Sequence, residues 1–315
     1  MQLNRRRFLK TSAGLAGSLA LAGLAACEKK ENASAAWSGF KYAMCNESMR
    51  ELSWAKQCQI IGEAGYTGVE IAAFTLVSES VTELDAYQRK SLVEDMKVAG
   101  IECVGLHWLL APPPKDLHFT TPDPVVRETT VNYLKDLIDF CGDLGGTVMI
   151  FGSPKQRNAI DIPISEAKKY FADGLATVAD HAQRRDIQIL IEPLDKSQTD
   201  VVNTLAEAKE IMEQVDHPAI QTMFDFHNTP DETEPFDVLI KKYYPYIHHV
   251  HVQEMDGKHL GQGNAADTYV KAFQTLKDLN YDKWVSLEVF DFEPGGPTIA
   301  QESMAVLKEI ESKLV

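Results

Sequence analysis

Four short apolar runs decide the reading of this chain: QILIEP at 188–193, IQTMFDF at 220–226, HHVHV at 248–252 and VSLEVF at 285–290. Near the downstream end of each stands one side chain able to bind a metal, in turn Glu192, Asp225, His251 and Glu288. The runs are roughly evenly spaced and separated by amphipathic helical stretches, so they read as consecutive parallel strands. Parallel strands of one sheet end on the same face. Three carboxylates and one imidazole therefore converge on one mouth, the face on which strand–helix barrels carry out chemistry. Hard oxygen donors with a single histidine suit one octahedral divalent ion such as Mn, Mg or Co, with Zn still admissible.

Outward from these runs the pattern repeats. FKYAMC (40–45), TGVEIA (67–72), IECVGLHWL (101–109) and TVMIFG (147–152) give four earlier strands. Helical stretches at 53–65, 87–100, 125–144, 165–184, 201–214, 231–244, 267–279 and 297–313 alternate with the eight strands. Ser53 caps the first helix, and Gly65 and Gly100 stop the first two. The strands are near-continuous Val/Ile/Leu runs, as expected when both faces are covered. No glycine-rich phosphate loop follows the first strand, which favours a closed barrel over an open doubly wound sheet. The fold expected is α/β, a single-domain (β/α)8 TIM barrel over residues 39–315. Residues 111–124, with Pro112, Pro113 and Pro114, form a long loop that reads as a wall or lid over the mouth.

The chain has 315 residues and a net charge of −15. Residues 1–26 hold four basic side chains (Arg5, Arg6, Arg7 and Lys10) and no acid, so the remainder carries −19. A body this acidic lacks the basic footprint that nucleic acid requires. It also has no electrostatic attraction to anionic lipid. Residues 1–26 read as a targeting segment. Its Asn4-Arg5-Arg6-Arg7-Phe8-Leu9-Lys10 resembles a twin-arginine signal. Leu24-Ala25-Ala26-Cys27 resembles the lipobox of bacterial lipoproteins, whose cysteine is acylated. These readings imply folding before export, a lipid anchor at Cys27, a flexible tether over 27–38, and residence at the periplasmic or cell-surface face of a bacterial membrane. Membrane association is then through the anchor alone. Cys45, Cys58, Cys103 and Cys141 show neither CxxC nor zinc spacing and read as buried small hydrophobes.

Glu192 before proline, Asp225-Phe226-His227, His249-Val250-His251 and Leu287-Glu288-Val289 resemble the metal site of the xylose-isomerase-like barrel superfamily. Its ketose 3-epimerase, hydroxypyruvate isomerase and sugar phosphate isomerase/epimerase branches are the nearest in pattern. The resemblance spans nearly the whole chain after the leader. It implies one divalent ion held by Glu192, Asp225, His251 and Glu288, with Glu192 and Glu288 also moving the proton. It implies a metal-dependent sugar isomerase or epimerase acting through a metal-bound enediolate. An ion gripping a carbonyl and a neighbouring hydroxyl acidifies the C–H between them. Two carboxylates on opposite sides then epimerise one carbon, or isomerise if the proton returns to the next.

The pattern departs from the epimerase branch at two points. An Asp-x-x-His arrangement is usual there, whereas this chain has Asp225-Phe226-His227-Asn228, so either His227 or Asn228 takes the substrate-contacting place. An arginine past the strand-seven histidine is replaced by a stretch in which Lys258 or His259 stands. Further substrate-binding candidates are His107, beside Trp108 at the end of strand three, Lys155 and Arg157 after strand four, and Glu254 after His251. For each the alternative is structural: a packed strand end, solvated loop charges, or a group that only orients a ligand. Glu70 points either into the barrel or up. His249 shares the face of His251, and His248 faces the helices.

Other classes fit less well. An anchored, non-catalytic sugar-binding lipoprotein would not need two proton-moving glutamates. An enediolate-type lyase on a keto-glycoside uses the same groups. An apurinic-site endonuclease on this barrel needs several zinc ions and a basic surface.

Overall fold

The computed structural model describes residues 37–315; the targeting segment and Cys27 lie outside the described residues. Eight parallel strands close into a barrel in sequence order. They are β1 (Lys41–Cys45), β2 (Gly68–Ala72), β3 (Glu102–His107), β4 (Val148–Phe151), β5 (Gln188–Ile191), β6 (Ile220–Asp225), β7 (Ile247–Val252) and β8 (Trp284–Leu287). Closure is made by β1 against β8, with Lys41 beside Trp284 and Met44 beside Leu287. The helices are α1 (Trp54–Ala64), α2 (Ala86–Val98), α3 (Pro124–Leu144), α4 (Ile164–Arg184), α5 (Leu205–Val215), α6 (Phe236–Tyr243), α7 (Ala265–Thr268), α8 (Val270–Asp278) and α9 (Gly296–Ser312).

Local chemistry sets these boundaries. Gly65 and Gly145 end α1 and α3 at φ of 101° and 86°, a left-handed region that costs other residues energy. Asp85 and Gln88 form a reciprocal capping box on α2, worth about 1 kcal/mol. Ser53 occupies the cap position of α1, but its hydroxyl makes no capping bond. Three expected helices differ. The one read over 201–214 begins at Leu205, where the Thr204 hydroxyl caps it by accepting from the Glu207 N–H. The one read over 231–244 begins at Phe236, because Pro235 takes the cap and the Glu232 carboxylate instead accepts from the Leu205 N–H. The one read over 267–279 is broken at Tyr269, whose ring lies 4.1 Å from that of Phe226.

Apolar side chains fill two layers. Ala43, Val104, Val148, Ile150, Leu190 and Met223 form a cluster of their own. They come from β1, β3, β4, β5 and β6, which can meet only across the barrel interior. The larger cluster lies between strands and helices and contains Cys58, Cys103 and Cys141. All four described cysteines are buried and unpaired. Gly105 lets β3 and β4 approach, since a Cβ there would lie 1.9 Å from the Val148 carbonyl oxygen. The proline-rich loop is pinned at its far end. Phe119 is buried with its ring 5.0 Å from Phe151 and 5.6 Å from Phe171, and its N–H donates to the Gln156 carbonyl.

Candidate metal centre

The barrel brings the four expected ligands together. Asp225 is the last residue of β6 and pairs in register with His251 of β7. Glu192 follows β5 directly and Glu288 follows β8. One donor atom from each of the four lies within 4.8 Å of the others, and all four residues are buried. From His251 Nδ1 the nearest oxygens of Glu288, Glu192 and Asp225 are at 3.0, 3.8 and 4.0 Å.

Each ligand is held from behind. Asn228 Nδ2 donates to both Glu192 Oε1 (3.1 Å) and Asp225 Oδ2 (2.8 Å). Asp225 Oδ1 also accepts from the His227 N–H at 2.7 Å and Gln253 Nε2 at 3.0 Å. Trp108 Nε1 donates to Glu288 Oε1 at 2.7 Å. That tryptophan has φ of 51°, unfavourable for a bulky side chain, and it directly follows β3 with its ring 6.2 Å from Phe74 and 6.3 Å from Phe290. His251 Nε2 lies 2.9 Å from Glu70 Oε1. Gly152 leaves room for Glu192, since a Cβ there would sit 2.2 Å from Oε2.

A divalent cation fits this arrangement on two grounds. The donors are three carboxylates and one imidazole, the hard set that Mn, Mg or Co prefers. Two atoms facing each other, His251 Nδ1 and Glu288 Oε2, are buried with no hydrogen-bond partner. Unpartnered buried polar atoms are costly, and a shared cation would satisfy both. Protonation reports the same crowding. Burial, followed by the charge of Glu192, pushes the Asp225 carboxyl well above its ordinary range. Burial opposes protonation of His251, but Glu70 and Glu288 outweigh it and hold the imidazole well above its usual value.

These shifts give the sign of a pH effect. Groups with raised values hold protons in the cation-free protein, and a cation must displace them. Binding therefore releases protons, and affinity weakens as the pH falls, by up to about tenfold per pH unit for each proton displaced. Titration calorimetry with Mn2+ in two buffers of different ionisation enthalpy checks this. Equal heats in both buffers at pH 6 would contradict it.

The remaining candidates have diverse fates. His107 is buried, with Nε2 2.8 Å from Glu47 Oε2 and Nδ1 3.4 Å from Glu70 Oε1. Burial opposes its protonation, but Glu47 raises its pKa to about 9. Lys155 is exposed on the turn after β4 and pairs with no acid among the described residues. Arg157 corrects the expectation of a substrate clamp. Its guanidinium is fully buried and donates to the carbonyls of Phe151, Glu192 and Val202. It ties the loops after β4 and β5 together beneath Glu192. Glu254 is corrected likewise. Its carboxylate turns away to accept the N–H groups of Gly261, Asn264 and Ala265, each at 3.1 Å.

The two histidine and asparagine candidates divide. Asn228 is spent on Glu192, Asp225 and, through its oxygen, Gln198. His227 is half-buried, with Nδ1 2.9 Å from the Met255 carbonyl oxygen and its ring 4.9 Å from Phe290. Lys258 is exposed and pairs with Asp256, and the buried His259 pairs with Glu302. Sequence reasoning missed Glu47 and Gln253 altogether, because loop residues outside a periodic pattern give no signal of where they point. For Glu70 the sequence left open whether it points into the barrel or up, and it carried no sign that imidazoles meet it there.

The chain is 24% identical over 271 residues to a probable ketose 3-epimerase of Synechocystis sp., covering 78% of this chain and 86% of that one. Among solved structures, the D-psicose 3-epimerase of Clostridium cellulolyticum with D-tagatose superposes with a TM-score of 0.75 at 19% identity, covering 87% of this chain and 99% of that one. The 3-keto-D-glucoside 4-epimerase of E. coli gives a TM-score of 0.73 at 18% identity, with coverage of 87% and 99%. The family model described as xylose isomerase-like TIM barrel matches residues 58–310, and the chain belongs to that family.

Proposed function

We propose that this protein is a divalent-cation-dependent sugar isomerase or epimerase in which Glu192 and Glu288 exchange a carbon-bound proton beside a carbonyl. The observation that carries the reading is the buried quartet Glu192, Asp225, His251 and Glu288, with donor atoms within 4.8 Å of one another. Its resemblance to a probable ketose 3-epimerase supports a ketose as substrate. The cation, when bound, would stabilise negative charge developing on the substrate's carbonyl oxygen.

This chain's own residues supply the rest. Glu192 follows β5 and Glu288 follows β8, so two strands separate them and they approach a ligand from different sides. Each has one oxygen fixed by a neutral N–H donor, from Asn228 and from Trp108. Neutral donors orient a carboxylate without adding a second positive charge that would weaken it as a base. Phe74, Trp108 and Phe290 form an aromatic side of the mouth that favours the C–H face of a sugar and excludes water.

The experiment is solvent deuterium incorporation. Purified protein with Mn2+ in D2O is offered free ketoses and keto-glycosides. Deuterium at the carbon beside the carbonyl is expected in one of these classes. Catalytic amounts of enzyme that return every such substrate without label and without isomerised product would remove the reading. Location is part of the proposal: export by the twin-arginine route and an acyl anchor at Cys27. Lysine at both Arg5 and Arg6 should retain the protein in the cytoplasm. Delivery of that variant to the outer side of the membrane would contradict export by this route.

A further inference from the structure

Glu70 is a buried acid that the proton-transfer scheme does not use. It lies in the middle of β2 with no exposed surface. A lone buried carboxylate is expensive, so its surroundings must compensate it. They do so with three imidazoles. His251 Nε2 lies 2.9 Å from Oε1, His249 Nε2 lies 2.7 Å from Oε2, and His107 Nδ1 lies 3.4 Å from Oε1. Only His251 makes an in-line hydrogen bond; the His249 approach is off-line and leaves Oε2 without a partner. The one directed bond of Glu70 is therefore to the histidine of the metal-binding quartet.

That bond decides which ring nitrogen can face the carboxylates. A neutral imidazole carries one N–H and one lone pair. If Nε2 keeps the proton to donate to Glu70, then Nδ1 offers its lone pair on the opposite edge of the ring. Nδ1 is the atom that lies 3.0 Å from Glu288 and within 4.0 Å of Glu192 and Asp225. The reverse tautomer would aim a lone pair at the Glu70 carboxylate, a repulsive contact, and would put an N–H where a cation needs the Nδ1 lone pair. A carboxylate acceptor also makes the imidazole a stronger donor toward a cation.

We propose that Glu70 is a positioning residue that keeps the proton of His251 on Nε2 and so presents Nδ1 as a cation donor, with His249 and His107 packed close beside its carboxylate. The proposal rests on the cation site described above but extends it to a residue that touches neither cation nor substrate. It also explains why acid and imidazoles are packed inside the barrel, where apolar side chains would be simpler to bury.

The test uses the purified protein and three variants. Glu70→Leu is near in volume and removes the acceptor. Glu70→Gln keeps an acceptor oxygen without the charge. His248→Gln alters the imidazole that points the other way, to Gln188. Mn2+ affinity by titration calorimetry is expected to fall roughly 10- to 100-fold in Glu70→Leu, less in Glu70→Gln, and not at all in His248→Gln. Nitrogen-15 NMR of the histidines is expected to find Nε2 of His251 protonated and Nδ1 without a proton in the wild-type protein loaded with diamagnetic Mg2+, and the same tautomer in the cation-free protein once the imidazole is neutral. Wild-type affinity in Glu70→Leu would overturn the proposal. So would a wild-type His251 with a bare Nε2, which is decisive even if Glu70→Leu fails to fold. If the wild type binds no cation, the reading under Proposed function fails, while the tautomer of His251 in the cation-free protein, read at a pH high enough to leave the imidazole neutral, still decides the role of Glu70.

Discussion

Glu192→Gln and Glu288→Gln are each expected to lower turnover by roughly a hundred- to ten-thousand-fold, the usual worth of a general acid or base. Glutamine preserves shape and an acceptor oxygen. Asn228 can still donate to position 192, and Trp108 to position 288. Three ionised or imidazole ligands of the quartet remain in either variant, so cation binding should be weakened and still measurable. The amide, however, cannot take a proton from carbon. The loss therefore belongs in kcat, with a smaller change in KM. The two variants should also differ in kind. If one glutamate removes the proton and the other returns it, each variant stalls a different half of the exchange. Deuterium wash-in without product from one variant, and neither wash-in nor product from the other, would assign the pair. Full turnover in both would contradict the assignment.

Much of this molecule was legible in the sequence because parallel barrels write themselves plainly. Both faces of each strand are covered, so strands appear as apolar runs, and the fixed hand of strand–helix–strand units puts every strand end on one face. That is why Glu192, Asp225, His251 and Glu288 could be read as neighbours although 96 residues separate the first from the last. What the sequence could not carry was the direction of loop side chains. Glu254 sits as close in sequence to the end of β7 as His227 does to the end of β6, and Arg157 follows β4 within the same loop. Yet Arg157 turns inward to three carbonyls and Glu254 to three N–H groups. Unsatisfied backbone groups at buried loop turns claimed these charges, and periodicity carries no trace of that demand. The orienting partners were hidden for a similar reason. Glu70 and Trp108 are distant in sequence from the ligands they hold, by 181 and 180 residues, and only barrel closure brings them together.

The second large effect is expected from Asp225. Its two oxygens serve the centre twice. They belong to the quartet, and they accept from Asn228, Gln253 and the His227 N–H, so they also set where Asn228 holds Glu192. Alanine at this position removes a charged donor and loosens a second one. Cation content should fall from one ion per chain to less than a tenth of that, with turnover lost in parallel. Asp225→Asn keeps the hydrogen-bond acceptor without the charge, and separates loss of donor charge from collapse of the network. Metal analysis after dialysis against equal Mn2+, on the wild type, Asp225→Ala and Asp225→Asn, is the most direct measurement of the central claim. One ion per wild-type chain, less than about a tenth of that in Asp225→Ala and an intermediate fraction in Asp225→Asn is the expected result. An unchanged ion count in a folded Asp225→Ala protein would contradict the assignment of this quartet as the metal centre.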